Sequence, residues 1–118
     1  MFNETLTYND GTDDHVYSTV ITGDYKRVRR VADTELDRPE LLTISHQVNE
    51  KTNISRSLVK FDTVVETAGG VKGNIRAHVV LEIPREVAVL ADVTKVVAQL
   101  TAFLGVAGNV DKLINLES

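Results

Sequence analysis

The spacing of apolar residues changes at Pro84. From residue 42 to residue 83 apolar side chains recur mostly at every second position. Beyond Pro84 they recur at helical spacing. A two-residue period puts one side of a strand in a core and the other in water, whereas a period near 3.6 marks one stripe of a helix. The expected class is therefore α+β. It comprises an antiparallel sheet wet on one face, then helices that cover the other face within the chain or across a dimer.

Residues 41–49, LLTISHQVN, set Leu42, Ile44, His46 and Val48 against Thr43, Ser45, Gln47 and Asn49. Residues 54–66 form the longest expected strand. Arg56, Leu58 and Lys60 share one parity there, and Ser55, Ser57, Val59 and Phe61 the other. Residues 74–83 set Ile75, Ala77, Val79, Leu81 and Ile83 against Asn74, Arg76, His78, Val80 and Glu82. Upstream, residues 2–8 and 15–22 read as a hairpin, with Asp10-Gly11 in NDGTDD as the turn signal. Residues 25–32, YKRVRRVA, make a strand of ambiguous facing: Tyr25, Arg27 and Arg29 share one parity, Lys26 and Arg30 the other. DTELDRPE ends that strand, and Pro39 argues against a central strand there.

TAGGVKG, with Gly69, Gly70 and Gly73, reads as a flexible link. In DVTKVVAQLTAFLG the helical stripe is Val93, Val96, Val97, Leu100, Phe103 and Leu104, with Asp92 the expected N-cap and Gly105 on the C-terminal side. Three valines disfavour a helix by propensity, so burial of the stripe must override them. Asn109 is the expected cap of a shorter helix through Leu116, which must pack on something to persist. One domain is expected over residues 1–118, made of a hairpin (1–22), main sheet strands (25–83) and helices (88–118).

A chain of 118 residues, 42% apolar and 25% charged, is a folded composition, and one small enough to gain from a subunit partner. The formal charge of -4 argues mildly against nucleic acid. Local balance differs: between residues 51 and 76, Lys51, Arg56, Lys60, Lys72 and Arg76 face only Asp62 and Glu66, and Lys26, Arg27, Arg29 and Arg30 form a second basic group. The absence of cysteine excludes disulfides, thiolate nucleophiles and cysteine zinc sites. MFNETLTYNDG carries no apolar signal-peptide core, and no run approaches a membrane span, so no membrane partner is expected.

Enzyme constellations are thin. His15, His46 and His78 fall on different strands without a helical metal motif, and neither metal nor cofactor is expected. Ser45 and His46 point to opposite sides of their strand and cannot form a nucleophile–base pair. His46, on the apolar parity, reads as a packed or interfacial histidine. Asp62 and Glu82 could face each other across strands as part of a surface salt-bridge network. GGVKG lacks the ending of a phosphate-binding P-loop.

The polar parities of the last three strands bring Thr43, Ser45 and Gln47 beside Arg56, Lys60 and Asp62, and beside Arg76, His78 and Glu82. Cations attract phosphate, and hydroxyls and amides can bond bases, phosphates or 2′-OH groups. A solvated sheet face carries the same residue types merely because it is wet, and parity alone leaves both readings open. Asp62 and Glu82 weaken the RNA reading locally, although they could order the cations beside them.

Taken in order, the acidic hairpin, LTISHQV, SRSLVKFDTVVE, the short glycine loop, HVVLEIP and two closing helices resemble the coat proteins of small single-stranded RNA bacteriophages. The resemblance spans essentially the whole chain and rests on the order of elements, since no single motif is diagnostic. It implies an intertwined homodimer whose two sheets join edge to edge, and helices that reach over the partner. It further implies an icosahedral shell, commonly of T=3 type, assembled in the bacterial host cytoplasm, with the wet face toward the genome. In this resemblance Thr43, Ser45, Gln47, Arg56, Lys60, Arg76 and His78 are the expected RNA-binding residues, Lys60 and Arg56 being the strongest matches. Better-known members carry an aromatic and an amide near Arg76 and His78, so the departure touches recognition of a specific RNA hairpin more than general genome binding. The loop with Gly69, Gly70 and Gly73 would gather around the symmetry axes of the shell. The alternatives are a small dimeric RNA-binding translational repressor that forms no shell, and a small-molecule-binding α+β enzyme or scaffold with an RNA-free function.

Overall fold

The computed structural model describes residues 2–32, 39–86 and 90–116. Six strands come first: β1 (Thr5–Asn9), β2 (Asp14–Thr22), β3 (Lys26–Val31), β4 (Glu40–Asn49), β5 (Ile54–Glu66) and β6 (Lys72–Pro84). Two helices follow, α1 (Leu90–Gly105) and α2 (Asn109–Ile114). The strands lie side by side in chain order in one sheet, antiparallel from β1 through β5. The chain divides into two compact units, residues 1–82 and 83–118.

The sheet unit builds its core from the apolar parity of its strands. Tyr17, Leu42 and Ile44 are buried, with Leu6, Val31 and Phe61 packed against them. The sheet is strongly curled. Laid flat, the four steps from β1 to β5 would span about 19 Å at about 4.8 Å per strand. Instead the Tyr8 ring on β1 meets the Phe61 ring on β5 edge-on, centroids 5.9 Å apart, and Tyr17 meets the same ring at 5.7 Å. A bulge at Val20 contributes: the β2–β3 register passes from Thr19↔Arg29 to Ile21↔Val28, and an extra residue in one strand bends it and adds twist. The hairpin thereby folds over the apolar side of β3–β5.

Register resolves the ambiguous basic strand. Lys26, Val28 and Arg30 stand opposite Ser45, Thr43 and Leu41, while Arg27 and Arg29 stand opposite Ile44 and Leu42. Arg29 therefore points into the core, and only 1% of it is exposed. Its Nη2 donates to the Asn3 carbonyl at 2.7 Å and its Nε to the Glu4 carbonyl at 3.3 Å. The Glu4 carbonyl also accepts from the backbone N–H and hydroxyl of Thr19. These bonds stitch the residues before β1 to β2 and β3.

The β1–β2 turn is tied down from a third direction. Asp10 accepts backbone N–H bonds from Thr12 and Asp13, and Gly11 takes φ 102°, where a side chain would be strained. His15 bonds Asp10 through Nε2 and Glu40 of β4 through Nδ1, both at 2.7 Å. A neutral imidazole has one N–H, so two carboxylates at this distance call for the doubly protonated ring. Asp10 and Glu40 accordingly hold the His15 pKa above its ordinary 6.5. Bonds from Asp13, His15 and Thr12 lower Asp10 to about 2. The signs define a window. The His15 contribution is complete below pH 6.5 and is lost as pH rises through the raised value. The Asp10 contribution is complete above 3.8 and is lost as pH falls toward about 2. Urea midpoints should therefore decline on the alkaline side of pH 6.5, and His15→Ala should flatten that limb. An equal alkaline decline in the variant would show that the clamp does not contribute.

In the helical unit both expected caps are corrected. Asp92 is the third residue of α1, not its N-cap; there it favours the positive end of the helix dipole. Asn109 does not cap α2. Gly108, at φ 86°, precedes that helix, and Asn109 is its first residue. The Asn109 side-chain amide instead donates at 2.7 Å to the Phe103 carbonyl at the end of α1, which the Val106 N–H reaches only at 3.4 Å. α2 ends at Ile114, short of the expected Leu116. The stripe of α1 forms as expected, but neither helix has a buried residue among those described. Leu100, Phe103, Leu104, Val110 and Leu113 are exposed. The alternating side of β6 is open too: Ile75 is exposed, while Val79, Leu81 and Ile83 are half-buried. Residues 33–38, which carry most of the expected strand-ending segment, lie outside the described residues, as do 87–89 and 117–118.

Candidate nucleic-acid interface

The polar parities predicted from the sequence do share a face. In β4 and β5, Thr43 stands opposite Lys60, Ser45 opposite Leu58, Gln47 opposite Arg56 and Leu41 opposite Asp62. Register also adds Lys26, Val28 and Arg30 from β3 to this side. Two ion pairs join β5 to β6: Arg76 Nε donates to Asp62 Oδ1 at 3.0 Å, and Arg56 Nη2 lies 2.8 Å from Glu82 Oε1. Alternation along β6 then puts His78 on the same side, between Arg76 and Glu82. Six of the seven expected residues thus meet solvent on one surface of three adjacent strands.

Thr43 is the exception. It is only 6% exposed, beside the buried Val28, and lies in the floor of the face. Ser45 is half-buried and Gln47 exposed, so access increases toward the β4–β5 turn. In that turn Asn49 Oδ1 accepts from the N–H groups of Lys51 and Thr52, and Asn53 adopts φ 54°. These local bonds hold the end of the face without a glycine.

Asp62 and Glu82 do not face each other across the strands as expected; each takes a cation from the other's strand. The Asp62 side chain is 12% exposed and receives Lys60 Nζ at 3.5 Å as well as Arg76. Glu82 is 57% exposed and receives Arg56. The acids therefore order the cations, as one of the sequence readings expected. His46 lies on the opposite side with Leu42 and Ile44. Its Nδ1 is 2.9 Å from Ser57 Oγ, and it remains exposed, open to an interface rather than packed within this chain.

The expected glycine loop is tighter than its composition suggests. Thr67 N–H donates to the Val71 carbonyl and Gly70 N–H to the Thr67 carbonyl, both at 2.9 Å. Gly70 takes φ 80°, the position that requires glycine. Gly69 sits in the turn, whereas Gly73 already belongs to β6. The link is a bonded hairpin turn, not a loose tether.

The residues that sequence reasoning missed, Lys26 and Arg30, lie in the one strand whose two parities are both basic. Only the pairing of Lys26 with Ser45 discloses which side is wet. Among the described residues no group of histidines and carboxylates could hold a metal ion, and no helix is long and apolar enough to cross a membrane.

A six-stranded antiparallel sheet in chain order, curled under its own first hairpin and followed by two short helices, is the fold of bacteriophage coat proteins. A virus-like particle of bacteriophage AVE019 superposes with a TM-score of 0.73 at 14% identity, covering 96% of this chain and 94% of that one. The coat protein of bacteriophage EMS014 gives 0.73 at 18% identity, over 92% and 79% of the two chains. An unassembled bacteriophage coat protein dimer, an RNA-binding dimer, gives 0.58 at 12% identity, over 97% and 93%. No protein-family model matches the chain, and no curated protein matches its sequence.

Proposed function

We propose that this protein is the major capsid protein of a single-stranded RNA bacteriophage, and that it pairs with itself, closes into an icosahedral shell and takes genomic RNA on the β4–β5–β6 face. The observation that carries the reading is the fold, shared over 96% of this chain and 94% of a particle-forming subunit. The exposed stripe of α1 and the open side of β6 support it, because unpartnered apolar surface on this scale suits an obligate interface. A structural role asks only for repeated complementary contacts and closed symmetry. The turn holding Gly69 and Gly70 is placed near the symmetry axes in this reading, and the particle assembles in the host cytoplasm. A shell-free repressor would use the same RNA face, but it leaves the likeness to virus-like particles without a reason.

RNA enters the reading through Arg56, Lys60, Arg76 and His78, with Ser45 and Gln47 as neutral donors and acceptors. Expression of the full chain followed by electron microscopy of the purified product is the direct test: uniform closed particles are expected, and dispersed dimers would support the repressor instead. Particles of Arg56→Ala plus Lys60→Ala should carry less RNA, read as a lower 260/280 nm absorbance ratio. An unchanged ratio in well-formed particles would remove those two residues from the RNA contact.

A further inference from the structure

The cations of the wet face differ in how they are held, and the difference lies in their acids. Arg56 and Glu82 are both more than half exposed, 55% and 57%. Such a rim pair is weak and exchanges readily, so a phosphate can take Arg56 while Glu82 swings into water. Asp62 has no such freedom. It is 12% exposed at the floor, one oxygen on Arg76 Nε and the other on Lys60 Nζ. The Arg76 side chain above it is 62% exposed and Lys60 32%.

We propose that Asp62 is an attenuator of RNA binding, a sunken carboxylate that partly neutralises Lys60 and Arg76 and thereby sets how much charge the face offers to phosphate. The inference rests on the RNA-binding reading above. A phosphate arriving at this cluster meets two cations and one fixed negative charge, and nearby charges of opposite sign subtract from its attraction. The electrostatic, sequence-independent part of RNA affinity is kept low, and a larger share falls to neutral groups such as Ser45 and Gln47. Asp62 thus sets the general strength of RNA binding: it lowers affinity for every RNA alike and leaves the ratio between RNAs to contacts that read structure.

Asp62→Asn preserves shape and removes the charge. Binding of the full-length protein, kept dilute and unassembled, is measured against an RNA hairpin and an unstructured oligouridylate through a salt series. The variant should bind both RNAs about three- to tenfold more tightly at low salt, with a steeper loss as salt rises. The ratio of the two affinities should stay at its native value, and Glu82→Gln should change affinity less. Arg76→Gln supplies a second reading: it should cost less affinity in the native background than in the Asp62→Asn background, because the native carboxylate already occupies that cation. Salt-sensitive binding by the native protein with Asp62→Asn equal or weaker, and no coupling to Arg76, overturns the attenuator alone. Absence of RNA binding by both proteins overturns the RNA reading and this inference together.

Discussion

On the proposed capsid reading, Leu100→Asp will abolish assembly: the purified variant will yield no particles in micrographs and no dimer at concentrations where that reading expects the native chain to pair. Leu100 lies in the middle of the α1 stripe, 39% exposed, with Val96 and Val97 one turn before it and Phe103 and Leu104 one turn after. Among the described residues of the helical unit none buries this stripe. A leucine taken from water into an interface contributes roughly 1.5–3 kcal/mol. An aspartate in its place forfeits that and adds the cost of desolvating a carboxylate without a partner. A two-fold interface meets the change twice. An exposed helix position tolerates aspartate with little local penalty, so the variant should retain native-like circular dichroism while losing its partner. Particles of native size from this variant would show that the α1 stripe is not an assembly surface.

Leu42→Ala should lower stability by about 2–5 kcal/mol, a large part of the roughly 5–15 kcal/mol that holds a typical domain together. Leu42 is 1% exposed, opposite Phe61 on β5 and Arg29 on β3, and packs in the cluster of Tyr17 and Ile44. That cluster holds the curl, because Phe61 takes Tyr8 and Tyr17 edge-on from the folded-over hairpin. Removing the leucine side chain leaves a cavity between three strands and the rings above them, and the close Arg29 guanidinium cannot relax into an apolar gap at low cost. Urea unfolding at one fixed protein concentration measures the effect. A midpoint within experimental scatter of the native value would mean the cluster collapses freely or contributes little.

The strands were legible where one side of the sheet is dry and the other wet. Residues 54–66 were expected as one strand and form β5 over that same span, with Arg56 and Lys60 on one parity and Val59 and Phe61 on the other. β6 likewise kept the expected facing, with Arg76 and Glu82 both reaching cations or acids on β5. The basic strand was opaque for a physical reason. A guanidinium can serve as a core residue when backbone carbonyls receive it, and those of Asn3 and Glu4 come from a distant, polar stretch that gives no sign of the role. The caps failed similarly. Asn109 has the chemistry of an N-cap, but the left-handed Gly108 turns its amide back to Phe103. As for the candidate site, the side each residue occupies could be read from parity. Depth could not: the burial of Thr43 and the sinking of Asp62 beneath Arg76 depend on how neighbouring strands crowd each residue.

One feature of the sheet bears on what stability means for this molecule. The strand order terminates in β6, thirteen residues long and without proline before its last position, and among the described strands none pairs beyond it. The edge of a long strand is a template on which a further strand can pair. If that edge is filled by a second copy, completing the fold and acquiring a companion become a single event, and a melting temperature acquires meaning only alongside the molarity at which it was taken.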